Sequence, residues 1–183
     1  LGSTEEADAF MKWLEDILEN AAAPERVHPL YALDGSILGP EAVVDTLPGY
    51  AGSRPVRIGN AAQGQVQLDV FGPICAMVAE TVNQRGFVTS RDLQTVSACV
   101  EAVRRRWREA DHGIWEIRDA PRKHVHSRVM SWLAVDKALE VAHIADKTDH
   151  RANADIGRMQ GIDLDARIKG FTLDPNGHVA NLP

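Results

Sequence analysis

The sequence offers little that would place it in a membrane or on a nucleic acid. No apolar run approaches the roughly 20 residues that a helical span needs. Positive charge is not in excess: the formal net charge is −6, which argues against nucleic acid as the main partner. Cysteine is scarce. The two present, Cys75 and Cys99, fall inside helical patterns and read as reduced core thiols of a cytoplasmic protein, with nothing that asks for a disulfide. G-x-S-x-G, the P-loop and G-x-G-x-x-G are also missing, which removes the chemistries tied to those turns. No stretch alternates apolar and polar residues over a strand length, so no sheet is expected to carry the fold. The opening residues, LGSTEEADAF, lack the basic-then-apolar layout of a signal peptide. They also lack Met and lead almost at once into a helix cap, as expected of a fragment.

What is present is an ordinary globular composition, 44% hydrophobic and 25% charged over 183 residues, enough for one domain with a real core. The spacing predicts a first helix over about Thr4–Ala22, with Ser3 and Glu6 as a capping box and Ala7, Phe10, Leu14, Ile17 and Leu18 on one face. A Gly- and Pro-rich segment, Pro24–Asn60, follows. It is too long for a plain connector, and its content predicts an ordered, functional loop. A second helix is predicted over Ala61–Gln84, kinked or divided at Pro73. The third, Arg91–Trp107, carries the stripe Leu93, Val96, Val100, Val103 and Trp107 with Ser90 as cap. A fourth covers Ser127–Ala145, and a fifth, Ala152–Ile168, is interrupted by Gly157 and Gly161. The tail GFTLDPNGHVANLP reads as turns with a short strand. We therefore expect one all-α domain over residues 1–183. Its helices should be antiparallel neighbours with long, chemically loaded connections alternating between them.

Chemistry concentrates in two stretches. In DHGIWEIRDAPRKHVHSRVMSW, Glu116 follows Ile114 and Trp115. Apolar surroundings raise a carboxyl pKa and keep an acid protonated near neutral pH. The alternative is a surface glutamate paired with Arg118 or Arg122, and spacing alone favours that pairing. Trp115 is a candidate platform for a sugar ring, whereas Trp13, Trp107 and Trp132 are expected in the core. In GYAGSRPVRIGNAAQGQVQLD, Arg54, Arg57 and Asn60 precede a helix start and suit hydroxyls or anions. The alternative there is a loop pinned by arginine–carbonyl bonds. Gln65 and Asp69, four apart, are expected on one helical face. His112, His124 and His126 lack further ligands at usual spacing, so no metal and no cofactor are expected. Arg104, Arg105 and Arg106 read as a solvated face, and Asp136 as a buried polar residue needing a partner.

The stretches GYAGSRPVRIGNAAQGQVQLDVFG, RRRWREADHGIWEIRDAPRKHVHSRVMSWLAVDKAL and PLYALDG resemble bacterial members of glycoside hydrolase family fifteen. That family holds glucoamylases, glucodextranases and trehalase-like enzymes. The resemblance spans Leu1–Val141 and thins from His143 onward. It implies helical hairpins forming part of an (α/α)6 toroid and inverting hydrolysis of an α-linked glucoside, trehalose or a malto-oligosaccharide. It makes Glu116 the general acid and Trp115 a border of the sugar at the cleavage point. Arg54, with Arg57 and Asn60, would belong to the substrate-holding loop. Lys123-His124 departs from the His-Phe common at that place.

The resemblance also marks what is absent. Inverting glycosidases need a second carboxylate as base, roughly 6.5–9.5 Å from the acid. Asp69, Asp111 and Asp119 are the candidates here, and none matches the family's late-helix glutamate. The early part of the toroid and the N-terminal β-sandwich are not represented either. We therefore expect the middle of a catalytic domain. A catalytically incomplete helical module without turnover is the alternative, and phosphorolysis on a similar toroid ranks below hydrolysis. Helices made to pack on both sides leave apolar surface in water, so self-association into a homo-oligomer is expected.

Overall fold

Apolar spacing finds the helices, and tertiary hydrogen bonds decide where they begin. The computed structural model describes residues 4–21, 27–115 and 119–148. Within them lie α1 (Thr4–Asn20), α2 (Phe71–Arg85), α3 (Ser90–Arg106) and α4 (Val125–Thr148). A short antiparallel pair, β1 (Ala42–Val43) with β2 (Arg57–Ile58), matches Ala42 to Ile58 and Val43 to Arg57. The fold is all-α. Ser3, the expected Ala152–Ile168 helix and the tail after it lie outside the described residues. Among the described residues, no helix is long and apolar enough to cross a membrane.

On α1 the buried face is Met11, Leu14, Ile17 and Leu18. Ala7 and Phe10, expected on that face, are exposed. Phe10 instead stacks on the half-buried Trp13 with ring centroids 5.5 Å apart. The second half of α1 is tied to the start of α3, because Arg91 reaches Asp16 at 2.6 Å and Glu19 at 2.8 Å.

The expected Ala61–Gln84 helix starts ten residues later, at Phe71. Residues Ala61–Gly64 and Leu68–Val70 form separate 3-10 turns, with Gln65 extended between them. The cause is competition for backbone donors. Val66 N–H donates to His112 Nδ1 at 3.1 Å and Leu68 N–H to Asp111 Oδ2 at 3.0 Å, bonds that a continuous helix would exclude. Gln65 and Asp69 therefore do not share a helical face. Pro73 falls in the first turn of α2, where its missing N–H has no intrahelical acceptor to lose, so it neither kinks nor divides the helix.

α3 is capped by Thr89 and not by Ser90. Thr89 Oγ1 accepts from Asp92 N–H at 3.2 Å, and Asp92 Oδ2 accepts from Thr89 N–H at 2.6 Å, a reciprocal capping box. The expected stripe Leu93, Val96, Val100, Val103 and Trp107 is buried throughout.

α2 and α4 run in the same direction. The Cα of Gly72 faces the Met130 backbone near one end, and Asn83 Nδ2 donates to Glu140 Oε1 at 2.6 Å near the other. Small residues make this approach possible: Ser127, Ser131, Ala134 and Ala138 of α4 are all fully buried. Trp132 and Asp136, expected inside, are not: Trp132 is 39% exposed and the Asp136 side chain 46%. Trp132 lies about 100° round the helix from Ser131, off the buried stripe. α2, α3 and α4 close over Phe71, Val78, Val82, Val96, Val100 and Val141, with Leu68 plugging one end. Cys75 and Cys99 are buried there as free thiols. The hydrogen bond with Cys99, reinforced by burial, pushes the Cys75 thiol well above its usual range.

Candidate active site

Because α2 and α4 are parallel, the segments feeding them arrive at the same end of the molecule. These are the sequence stretches singled out for chemistry, and the structure docks one on the other. After α3 the chain turns outward and is pinched by an antiparallel bridge between Asp111 and Arg122, with backbone bonds of 2.9 and 2.8 Å. The bridge closes a loop that carries Gly113, Ile114 and Trp115.

Asp111 seats that loop. Its side chain is fully buried, and Oδ2 accepts from Leu68 N–H at 3.0 Å and Ser127 Oγ–H at 2.7 Å. Oδ1 has no hydrogen-bond partner among the described residues. Beside it, His112 N–H donates to Val66 O at 2.8 Å, while its Nδ1 accepts from Val66 N–H. Arg128, also buried, donates to Glu109 O at 2.9 Å and lies 5.9 Å from the Trp107 ring. Burial lowers the guanidinium's proton affinity, and the Asp111 charge opposes that. The loop base is thus held from the 66–68 segment on one side and from α4 on the other.

Gly113 is buried, and the two residues after it face water. Ile114 is 48% and Trp115 79% exposed, so Trp115 offers its ring to solvent. Glu116 follows directly and lies outside the described residues. Arg122 pairs with Asp119 at 2.5 Å. Of the carboxylates weighed as a second catalytic group, Asp119 is an exposed ion-pair partner and Asp111 a buried acceptor. Asp69 is buried, with Oδ1 unpartnered among the described residues and Oδ2 3.7 Å from His126 Nε2. Burial pushes its pKa up, while the nearby His126 pulls it down.

The Gly49–Asn60 segment is ordered but chiefly self-supporting. Arg57 Nη1 donates to Glu41 Oε1 at 2.6 Å across the small sheet, so this bond goes to a carboxylate and not to a carbonyl as in the alternative of a pinned loop. Asn60 Oδ1 accepts from Ala62 N–H at 2.9 Å and caps the Ala61–Gly64 turn. Arg54 is exposed, before a cis bond to Pro55. These bonds of Arg57 and Asn60 stay within residues 41–62 and do not bring either side chain to Trp115. Arg104 and Arg105 pair with Glu101, and Arg106 with Glu109, as a solvated face requires. A cavity of about 500 Å³ opens beside the junction, lined by His28, Gln65, Gln67, Arg105, Arg106 and Glu109 among others. Trp115 does not line it.

Sequence reasoning underrated Asp111 and Ser127. No local signal marks them; only the Asp-His pair next to Gly-Ile-Trp hinted that the loop base is polar.

With the geometry in place, comparison with known proteins decides the family. The model for Glycosyl hydrolases family 15 matches residues 1–168. The chain belongs to that family. This family-15 chain is 33% identical to the trehalase of Thermoplasma volcanium over 172 residues, 92% of this chain and 27% of the relative. It is 37% identical to trehalase 1 of Sulfolobus acidocaldarius over 130 residues, 69% of this chain and 23% of the relative. It is 33% identical to the trehalase of Mycobacterium tuberculosis over 180 residues, 97% of this chain and 26% of the relative. The chain spans about a quarter of the length of these curated relatives. No solved structure matches. Family membership makes its helical hairpins part of the (α/α)6 toroid that the sequence resemblance implied.

Proposed function

We propose that this chain carries the acid side of an inverting O-glycosyl hydrolase site acting on an α-linked glucoside, with trehalose as the substrate. Glu116 protonates the departing glycosidic oxygen as the bond to the anomeric carbon breaks. A water attacks from the opposite face and gives its proton to a carboxylate base. Trp115 stacks on the sugar at the cleavage point, and Arg54 holds substrate hydroxyls, with Arg57 and Asn60 shaping the loop beside it. The trehalase names of the relatives support the substrate. The observation that carries the reading is the exposed Trp115, immediately before Glu116, on a loop whose base is fixed by Asp111 and His112.

A second reading has its own support: the chain spans about a quarter of its trehalase relatives, which favours a helical part of a catalytic domain without turnover by itself. Glucose release from trehalose and from maltotriose by the purified chain, beside Glu116→Gln, separates the two. Release that the substitution abolishes supports the acid role. Release that persists in Glu116→Gln refutes it. No release from either sugar supports the incomplete site.

A further inference from the structure

Asp69 is a buried carboxylate with one oxygen unpartnered among the described residues, an expensive arrangement unless the group has a task. It follows Leu68, whose N–H binds Asp111 at the loop base. The titratable groups facing it are His126 and His124 from the entrance to α4, and Asp111 from the loop; Arg128 faces Asp111 in turn. His126 Nε2 lies 3.7 Å from Asp69 Oδ2. The His124 ring packs against Gly113, so closely that a Cβ there would come within 3.1 Å of it. Gly113 has φ +67, a conformation that glycine adopts without strain, and the next residues are Ile114 and Trp115. His126 thus reaches Asp69, while His124, two residues before it and within the field of the same carboxyl, packs on the turn that presents Trp115.

We propose that Asp69 is a positioning residue for the loop carrying Trp115, acting through His126 and His124 on the turn at Gly113. When the carboxyl is ionised it draws the imidazoles inward, and the His124 ring is pressed against Gly113. When it is protonated that attraction is lost and the turn relaxes. In calling the loop catalytic, this inference rests on the glycosidase reading; the coupling itself does not.

The test is a pH titration of the isotope-labelled chain by NMR, following the Asp69 carboxyl carbon, the Gly113 and Ile114 amides and the Trp115 indole N–H. The loop signals should move along the same curve as the Asp69 carboxyl. Asp69→Asn should erase that curve, and Asp119→Asn, which alters a carboxylate within the loop itself, should leave it in place. Loop signals that ignore the Asp69 titration, or that titrate unchanged in Asp69→Asn, overturn the proposal. Should Asp69→Asn not fold, His126→Gln serves instead: the shared midpoint should move to higher pH, and an unmoved midpoint overturns the proposal. The readout needs no turnover, so a chain that releases no glucose yet shows the coupling counts against the hydrolase reading alone.

Discussion

The buried carboxylate of Asp111 accepts the backbone N–H of Leu68 at 3.0 Å across 43 residues of sequence. With Ser127 Oγ on the same oxygen, it joins the entrance of α2, the exit of α3 and the first turn of α4. Asp111→Ala leaves both donors buried without an acceptor, at roughly 1–3 kcal/mol each. We expect a clear fall in the urea midpoint. Asp111→Asn keeps an acceptor and should lose less, and Asp119→Ala should unfold close to wild type. Equal midpoints for Asp111→Ala and Asp119→Ala would refute the clamp.

The α3 cap gives a sharper local test. Thr89→Ala removes the acceptor for Asp92 N–H and half of the capping box, worth about 1 kcal/mol. Ser90→Ala, one residue on, should change little. Chemical denaturation of both variants decides it; a larger loss at Ser90 would put the cap where the sequence pattern alone suggested.

Stability should respond to pH with opposite signs at two carboxylates. Burial raises the Asp69 pKa above 3.8, so its folded form holds the proton more tightly than the unfolded chain. That contribution is present below the ordinary value and is lost as pH rises through the folded one. Glu101 is held down to about 2, first by Arg104 and also by Arg105. Its contribution is present above its ordinary value of 4.5 and is lost as pH falls toward the folded one. Urea titrations from acid to neutral pH should show Asp69→Asn more stable than wild type at neutral pH, with the advantage gone in acid. Glu101→Gln should lose stability at neutral pH only.

Gly72 sets the spacing of α2 and α4. A Cβ there would lie 2.6 Å from Met130 O, and because that atom is backbone the helices must separate. Overpacking of this kind costs roughly 1–3 kcal/mol. Gly64→Ala meets nothing within 4 Å and is the matched control. Thermal melts of the two variants should differ by several degrees; coincident melts would mean that α4 shifts without loss.

Much of this was legible in the sequence. The stripe from Leu93 to Trp107 is local, because helical period and burial coincide wherever one face alone meets the core. Trp115 in an exposed loop was legible too, since the residues around it fit neither helical nor strand spacing. The start of α2 was not. Residues 61–70 have helix-compatible spacing, yet Val66 and Leu68 give their N–H groups to His112 and Asp111, partners that no local pattern shows. Trp132 and Phe10 failed for a related reason: apolar type does not say which side of a helix meets a neighbour.

The sequence by itself determined that the chain is all-α, where most of its helical segments lie, and, through long ordered motifs, its kinship with family 15. Those properties follow from short-range spacing and residue identity. Only the tertiary structure decided that α2 and α4 run parallel, that the 66–68 segment seats the Trp115 loop, and that Asp69 is buried beside His126. Each depends on groups tens of residues apart meeting where water is excluded, and there an unsatisfied donor or charge costs more than a helical turn is worth.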